Sequence, residues 1–451
     1  MGIEIGIEWL TLIMFGSLLA LLMAGLPLAF VTGGLACVFL FILGDARALN
    51  IVPSRIFPLM TNYQLSAIPL FIFMAAMLER AGIINDMFDV IYKVMGGLKG
   101  GLAAATIIAS TILAAMVGVI GAAVVTMGII ALPAMLKRHY DPKIAMGSIM
   151  AGGTLGILIP PSILAIIYAV VAEQSVGELF IGAVIPGLML SGMYIAYVVA
   201  RSYINPAVGP AIPPEERVSN AEKLRLIGKM TAPITLVVVV LGIIFSGVAT
   251  PVEAAGIGTF GAFIVAAIHR KLDWPTVREA CTTTLKASAM VIWIMFGATI
   301  FVGLYVLEGG QQFVQDSLAA TGLGPWGILI LMQILLVILG MFLDWVGILL
   351  LCVPIFVPII KALGAQAFGL GDVDDLVLWF GVLYLVNMQM SFLSPPFGYA
   401  LFYLRGVAPA DIPMSDIFKS ALPFLFLQLV GLVICMVFPQ VITWLPRLVY
   451  G

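Results

Sequence analysis

Two apolar stretches each carry a pair of prolines among glycines and hydroxyls: Gly153-Thr154-Leu155-Gly156-Ile157-Leu158-Ile159-Pro160-Pro161-Ser162, and Ser391-Phe392-Leu393-Ser394-Pro395-Pro396-Phe397-Gly398. Proline lacks the N–H that a helix interior needs, so Pro-Pro interrupts the hydrogen-bond ladder at two successive positions. The interruption frees carbonyl oxygens on one side and amide N–H groups on the other. Carbonyls and hydroxyls suit a hard cation, and a half-helix N-terminus with its positive dipole end suits a carboxylate. Only one ionisable residue, Asp344, stands inside an apolar segment, with Asp316 and Lys361 its nearest charges in sequence. A carboxylate placed there is costly in lipid and reads as functional. It either coordinates a cation or caps a helix start by accepting from backbone N–H groups.

The elements that must hold these groups are set by composition. The 451 residues are 62% hydrophobic and 10% charged, with a mean hydropathy of +1.18. Soluble domains carry about 25% charged residues, so this is an integral membrane protein. A net charge of -2 argues against a nucleic-acid partner. Glu4 and Glu8 stand where a secretory leader would be basic, so no cleavable signal peptide is expected. Cys37, Cys281, Cys352 and Cys435 lie far apart in apolar runs and are expected to be packing residues; His139 and His269 flank such runs beside Lys or Arg.

Stretches of spanning length, roughly 20 residues each, fall near 9–24, 27–44, 67–81, 144–172, 179–200, 231–247, 253–268, 287–307, 376–404 and 420–445. The amphipathic stretches 83–99 and 273–286 are expected to lie along the membrane surface. With the N-terminus outside, every Lys and Arg except Arg47, Arg55, Lys361 and Arg447 falls on the inner side. That bias predicts both termini outside and a cytoplasmic linker at 201–230. The stretches 101–136 and 325–360 begin and end in the same compartment, each as two short spans or as one re-entrant hairpin. Glycines near their middles, Gly118 and Gly121 in the first and Gly340 and Gly347 in the second, favour hairpins.

Residues 1–200 and 231–451 thus show one order of elements twice, each with a hairpin (101–136, 325–360) and a broken helix (144–172, 376–404). Pro27 pairs with Pro251, Pro133 with Pro354, and Tyr168 with Tyr403. Five spans precede the second copy, so it is inverted, as in secondary transporters whose site lies between two repeats. The expected fold is all-α, with about ten transmembrane helices, two re-entrant hairpins and two broken helices.

These motifs resemble the large membrane subunit of TRAP (tripartite ATP-independent periplasmic) transporters. The resemblance rests on the first proline stretch and on Ala67-Ile68-Pro69-Leu70-Phe71-Ile72, Thr250-Pro251-Val252-Glu253-Ala254-Ala255, Gly340-Met341-Phe342-Leu343-Asp344 and Ser394-Pro395-Pro396-Phe397-Gly398. It implies a sodium-driven, elevator-type importer of a small carboxylate in a bacterial or archaeal inner membrane. It implies two partners, a small four-helix membrane subunit and a periplasmic substrate-binding protein that does most of the selection. The expected site comprises Gly118, Gly121, Gly153, Thr154, Gly156, Pro160, Pro161 and Ser162 in one half. In the other half it comprises Gly340, Asp344, Ser391, Ser394, Pro395, Pro396 and Gly398, with sodium at Thr154, Asp344 and Ser394. Many members of that family have Ser-Gly-Ser at the first hairpin tip, where this chain has Val117-Gly118-Val119, so cation binding there falls to carbonyls and Thr154. A standalone sodium–dicarboxylate symporter of related architecture is the alternative. A membrane enzyme is disfavoured, because a lone Asp344 cannot serve as both acid and base.

Overall fold

The computed structural model describes residues 5–44, 46–117, 120–213 and 217–451, which form helices and no strands. The first half holds α1 (Ile7–Met23), α2 (Leu28–Gly44), α3 (Ile51–Met60), α4 (Ala67–Arg80), α5 (Ile83–Met95), α6 (Gly101–Val117), α7 (Ile120–Lys137), α8 (Pro142–Thr154), α9 (Ile163–Ala172) and α10 (Val176–Ile204). A short α11 (Asn220–Lys229) follows. The second half holds α12 (Thr231–Phe245), α13 (Pro251–Ile268), α14 (Trp274–Leu307), α15 (Gly310–Ala320), α16 (Pro325–Gly340), α17 (Trp345–Leu363), α18 (Val373–Leu393), α19 (Tyr399–Arg405), α20 (Met414–Val437) and α21 (Gln440–Tyr450). Matched in order, α12 answers α1, α14 answers α3 with α4, α16 and α17 answer α6 and α7, and α18 and α19 answer α8 and α9.

Helix starts follow local chemistry. Thr250 and Glu253 form a capping box at α13, with Pro251 at its first position, so Glu253 serves the start of a helix. Asp141 caps α8 by accepting from Lys143 N at 2.8 Å, ahead of Pro142 at the first helical position. Asp273 caps α14 by accepting from Thr276 N at 2.8 Å.

Among the described residues, seven helices are long and apolar enough to cross a membrane, or nine if two bent pairs count as one span each. The sequence suggested about ten. Two of its spans are divided by the proline breaks, at 155–162 and 394–398, and α1 and α2 are 17 residues each, about 26 Å long. Two other expectations need correction. The stretch 273–286 is no separate surface helix: it continues unbroken into α14, whose 34 residues reach about 51 Å. Cys281 on that stretch is exposed, whereas Cys352 and Cys435 are buried. The stretch 83–99 does form an amphipathic helix, α5, with Ile84, Met87, Phe88 and Ile91 on its buried face.

The linker is also more structured than its prolines suggest. Val208 O accepts from Asp141 N, Gly209 O from Gly100 N, and Gly96 O from Ile212 N, at 2.8–2.9 Å. These bonds pin 208–212 against the turns at either end of the first hairpin. At the centre of the molecule, the apolar window of α18 is wholly enclosed by other helices. No lipid reaches it, so it can carry Asn387, Gln389 and Ser391 without exposing them to hydrocarbon.

Candidate functional site

The tips of both helical hairpins and the flanks of both proline breaks meet at one cavity of about 110 Å³. Ile120 and Gly121 come from the first tip, and Asp344 and Trp345 from the second. Ile157 and Ile163 flank the first break, Phe392 the second, and Tyr403 belongs to α19. Ile72 of α4 and Ala287, Met290 and Val291 of α14 close the remaining wall. The helix pairs α6–α7 and α16–α17 both bring their facing ends to this cavity, as the hairpin reading of the two ambiguous stretches expects. Gly121 has a steric reason: a Cβ there would lie 3.1 Å from the Tyr403 ring.

Asp344 supplies the one carboxylate in this wall, and no Lys, Arg or His lies among the described residues that line it. It caps α17, accepting from Val346 N at 3.2 Å. A carboxylate has two oxygens and about four lone-pair sites, so one bond to an N–H leaves capacity for a cation. The two readings of Asp344 are therefore compatible.

The first break runs through a 3-10 turn, Leu155–Ile157, and on to Ser162, with every residue from 155 to 162 buried. The Pro160–Pro161 bond is cis, as is Pro395–Pro396. Ser162 caps α9, accepting from Ala165 N at 3.4 Å and donating to the Ile157 carbonyl. Thr154 donates to Ala151 O at 2.9 Å and accepts from Gln428 Nε2 of α20 at 3.3 Å. Glycines permit the packing: a Cβ at Gly153 would collide with Val124 of α7, and one at Gly152 would meet Ser110 of α6.

The second break has a different lining. Asn387 donates to Gln333 O at 2.9 Å and to Gln333 Oε1 at 2.8 Å, tying α18 to α16. Ser391 donates to Asn387 O at 3.1 Å, and its side chain occupies the space that a Cβ at Gly340 would need. Ser394 donates to Met390 O at 2.7 Å. A Cβ at Gly398 would meet the carbonyl oxygens of Phe392 and Ser394, which makes glycine obligatory for this turn. Pro396 and Phe397 are exposed, and Phe397 packs on Phe342 of the hairpin turn at 5.6 Å between ring centroids.

Residues 15–441 match the family described as "Tripartite ATP-independent periplasmic transporter, DctM component". The chain belongs to this family. It is 33% identical over 417 residues to the C4-dicarboxylate TRAP transporter large permease protein DctM of Pseudomonas aeruginosa, covering 92% of each chain. It is 30% identical over 434 residues to the sialic acid TRAP transporter large permease protein SiaM of Vibrio cholerae, covering 96% of this chain and 97% of that one. The fold is similar to that of the Alcanivorax borkumensis YdaH transporter, with a TM-score of 0.64 at 14% identity over 95% of this chain and 99% of that one. This is a multi-pass TRAP large permease subunit.

Of the site residues expected from the sequence, the TRAP subunit brings Gly121 and Asp344 to the cavity. Gly118 lies outside the described residues. Thr154, Ser391 and Ser394 do not line the cavity; their hydroxyls are held by neighbouring carbonyls and amides. Gly153 and Gly340 serve helix packing, Gly398 a turn, and Gly156, Pro160 and Pro161 the buried course of the first break. The cavity wall from α4 and α14 was not foreseen, because Ile72, Ala287, Met290 and Val291 carry no polar mark. Gln333 was missed too. A lone glutamine in an apolar run, 54 residues before Asn387, signals its partner only once α16 and α18 are known to pack.

Proposed function

We propose that this TRAP large permease subunit imports a small organic carboxylate together with sodium. A small membrane subunit and a periplasmic substrate-binding protein are its partners, and the inner membrane is its location. Both termini face the periplasm in this reading, and α12–α20 form an upside-down copy of α1–α10 that moves by an elevator mechanism. The observation that carries it is the cavity at which both hairpins and both breaks converge, with Asp344 as its sole carboxylate.

Asp344 and nearby carbonyl oxygens offer a hard cation its preferred ligands. The bound cation then neutralises Asp344 and draws the carboxylate of the substrate, since no Lys or Arg lines the cavity. A volume of about 110 Å³, room for roughly four waters at ~30 Å³ each, suits a compact acid. The P. aeruginosa relative is named for C4-dicarboxylates and the V. cholerae one for sialic acid. The cavity favours the smaller of these classes.

Purified subunit in vesicles, with its small subunit and loaded binding protein, should take up a C4-dicarboxylate only under an inward sodium gradient. Equal uptake without sodium, or a requirement for ATP, defeats the proposal. Uptake without any binding protein would instead favour a standalone symporter.

A further inference from the structure

A second concavity adjoins the central cavity and is walled by α4 and α14, two of the helices that line it. It holds about 540 Å³ and is lined by Arg80 of α4 and by Arg278, Glu279, Thr282, Thr283 and Lys286 of α14. Resting on the function proposed above, we propose that this crevice is an anion-binding vestibule that receives the carboxylate as it leaves the cavity toward the cytoplasm.

Three features support this. Arg80 is paired with Glu279 at 3.2 Å, whereas, among the described residues, Arg278 and Lys286 have no ion-pair partner. Two uncompensated cations therefore face a concave surface, where low-dielectric walls concentrate their field. Second, the walls are continuous. Ile72 of α4 lines the cavity and Arg80, about 12 Å further along the same helix, lines the crevice. On α14, Thr283 lines the crevice, and Ala287 and Met290, four and seven residues on and thus on the same face, line the cavity. Third, α14 is too long for the bilayer. Its 34 residues reach about 51 Å against ~30 Å of hydrocarbon. Counted inward from Leu307, the hydrocarbon ends near Ser288. The crevice thus lies at the water interface on the side assigned to the cytoplasm, and the cavity wall begins immediately inside it. Basic residues also set topology on that side, but topology alone asks neither for concavity nor for contact with the substrate route.

The test uses the subunit with its small partner in vesicles, with Thr283→Cys introduced into a Cys281→Ser background. Two charges within several ångströms at an effective dielectric near 20 should make an anionic methanethiosulfonate react about tenfold faster than a cationic one, after correction for intrinsic rates. Arg278→Gln with Lys286→Gln should erase that preference, Lys286→Arg should retain it, and raised salt should shrink it. Succinate applied to the cytoplasmic face should slow the anionic reagent. In counterflow, the double variant should raise the half-saturating internal succinate about three- to tenfold and leave the external value unchanged. An absent preference, no protection by succinate, or an unchanged internal value overturns the vestibule. So does a preference that is blocked by phosphatidylglycerol in the vesicles and restored in its absence, since a lipid phosphate would then be the occupant. Loss of sodium-driven uptake in the unmodified subunit, with labelling and protection intact, would instead count against the parent function alone.

Discussion

The two proline breaks answer each other in position and differ in what surrounds them. From Leu155 to Ser162 the first break is buried throughout, and its small residues, Gly152 and Gly153, lie on the broken helix against Ser110 and Val124 of the hairpin. In the second half the arrangement is reversed: Gly340 belongs to the hairpin and Ser391 to the broken helix. Close approach of the two backbones needs one small residue at the contact, and it does not matter which partner supplies it. The reversal lets the second broken helix carry hydroxyls and amides where the first carries glycines. Its Pro396 and Phe397 are exposed, and the adjoining hairpin turn brings Asp344 to the cavity. The first break is therefore packed throughout, and the second is partly exposed beside the hairpin turn that carries Asp344.

The strongest way to break this comparison is to crowd the second turn. Gly398→Ala places a Cβ against two backbone carbonyls, which cannot move aside as a side chain can. Overpacking costs about 1–3 kcal/mol, concentrated in the turn that joins α18 to α19. Uptake should be abolished while the protein still inserts. Gly152→Ala in the first half meets Ser110 Cβ and Oγ at 2.8 Å; rotation moves only the hydroxyl, so α6 has to yield slightly, but no carbonyl of a tight turn is displaced and the variant should retain more uptake than Gly398→Ala. Comparable activity in the two variants would remove the distinction.

The next pair separates ion binding from packing. Asp344→Asn keeps an oxygen to accept from Val346 N but removes the negative charge. Direct attraction of about 4 kcal/mol at 4 Å and an effective dielectric near 20, largely offset by solvation, leaves about 1–2 kcal/mol. The sodium concentration for half-maximal uptake should rise roughly tenfold. Thr154→Val deprives Gln428 Nε2 of its acceptor, a loss of about 0.6–1.7 kcal/mol for an intramembrane hydrogen bond. It should lower the melting temperature in detergent and leave the sodium value in place. A sodium shift in Thr154→Val with none in Asp344→Asn would reverse the roles assigned to the two halves.

Much of this was legible in the sequence because membranes make irregular backbone expensive. Pro160-Pro161 and Pro395-Pro396 announce themselves wherever the chain is otherwise apolar, and Asp344 stands out for the same reason. What a residue does at the break was less legible. Thr154 and Ser394 look like ligands by type, yet each hydroxyl is engaged by a neighbouring backbone or side-chain group. Composition cannot show which way a hydroxyl turns. The wall from α4 and α14 was hidden because apolar residues that line a cavity and those that face lipid look alike. The stretch 273–286 is polar enough to suggest a surface helix, but polarity gives no account of whether the helix ends, and α14 does not end there.

A weaker perturbation sharpens the contrast between α14 and its counterpart in the first half. There α3 and α4 are bent by 61°, with Asn62 accepting from Gln64 N at 2.9 Å in the bend, while α14 runs unbroken from its cap at Asp273. The bonds to Thr276 hold the Asp273 carboxyl below its ordinary value. A carboxyl depressed in the folded state adds stability above its unfolded value, and that contribution is lost as pH falls through the lower folded value. The cap should therefore be fully effective at pH 7 and fade only in acid, below the usual carboxylate range. Asp273→Ala should lower the melting temperature slightly at pH 7, and the difference from the unmodified subunit should close as pH drops below about 4. Asp273→Ser, which keeps an acceptor at the cap without the charge, should recover most of the loss at neutral pH. The check is the melting temperature of the detergent-solubilised subunit across pH. A difference that persists in acid would show that Asp273 acts through something other than its ionised cap.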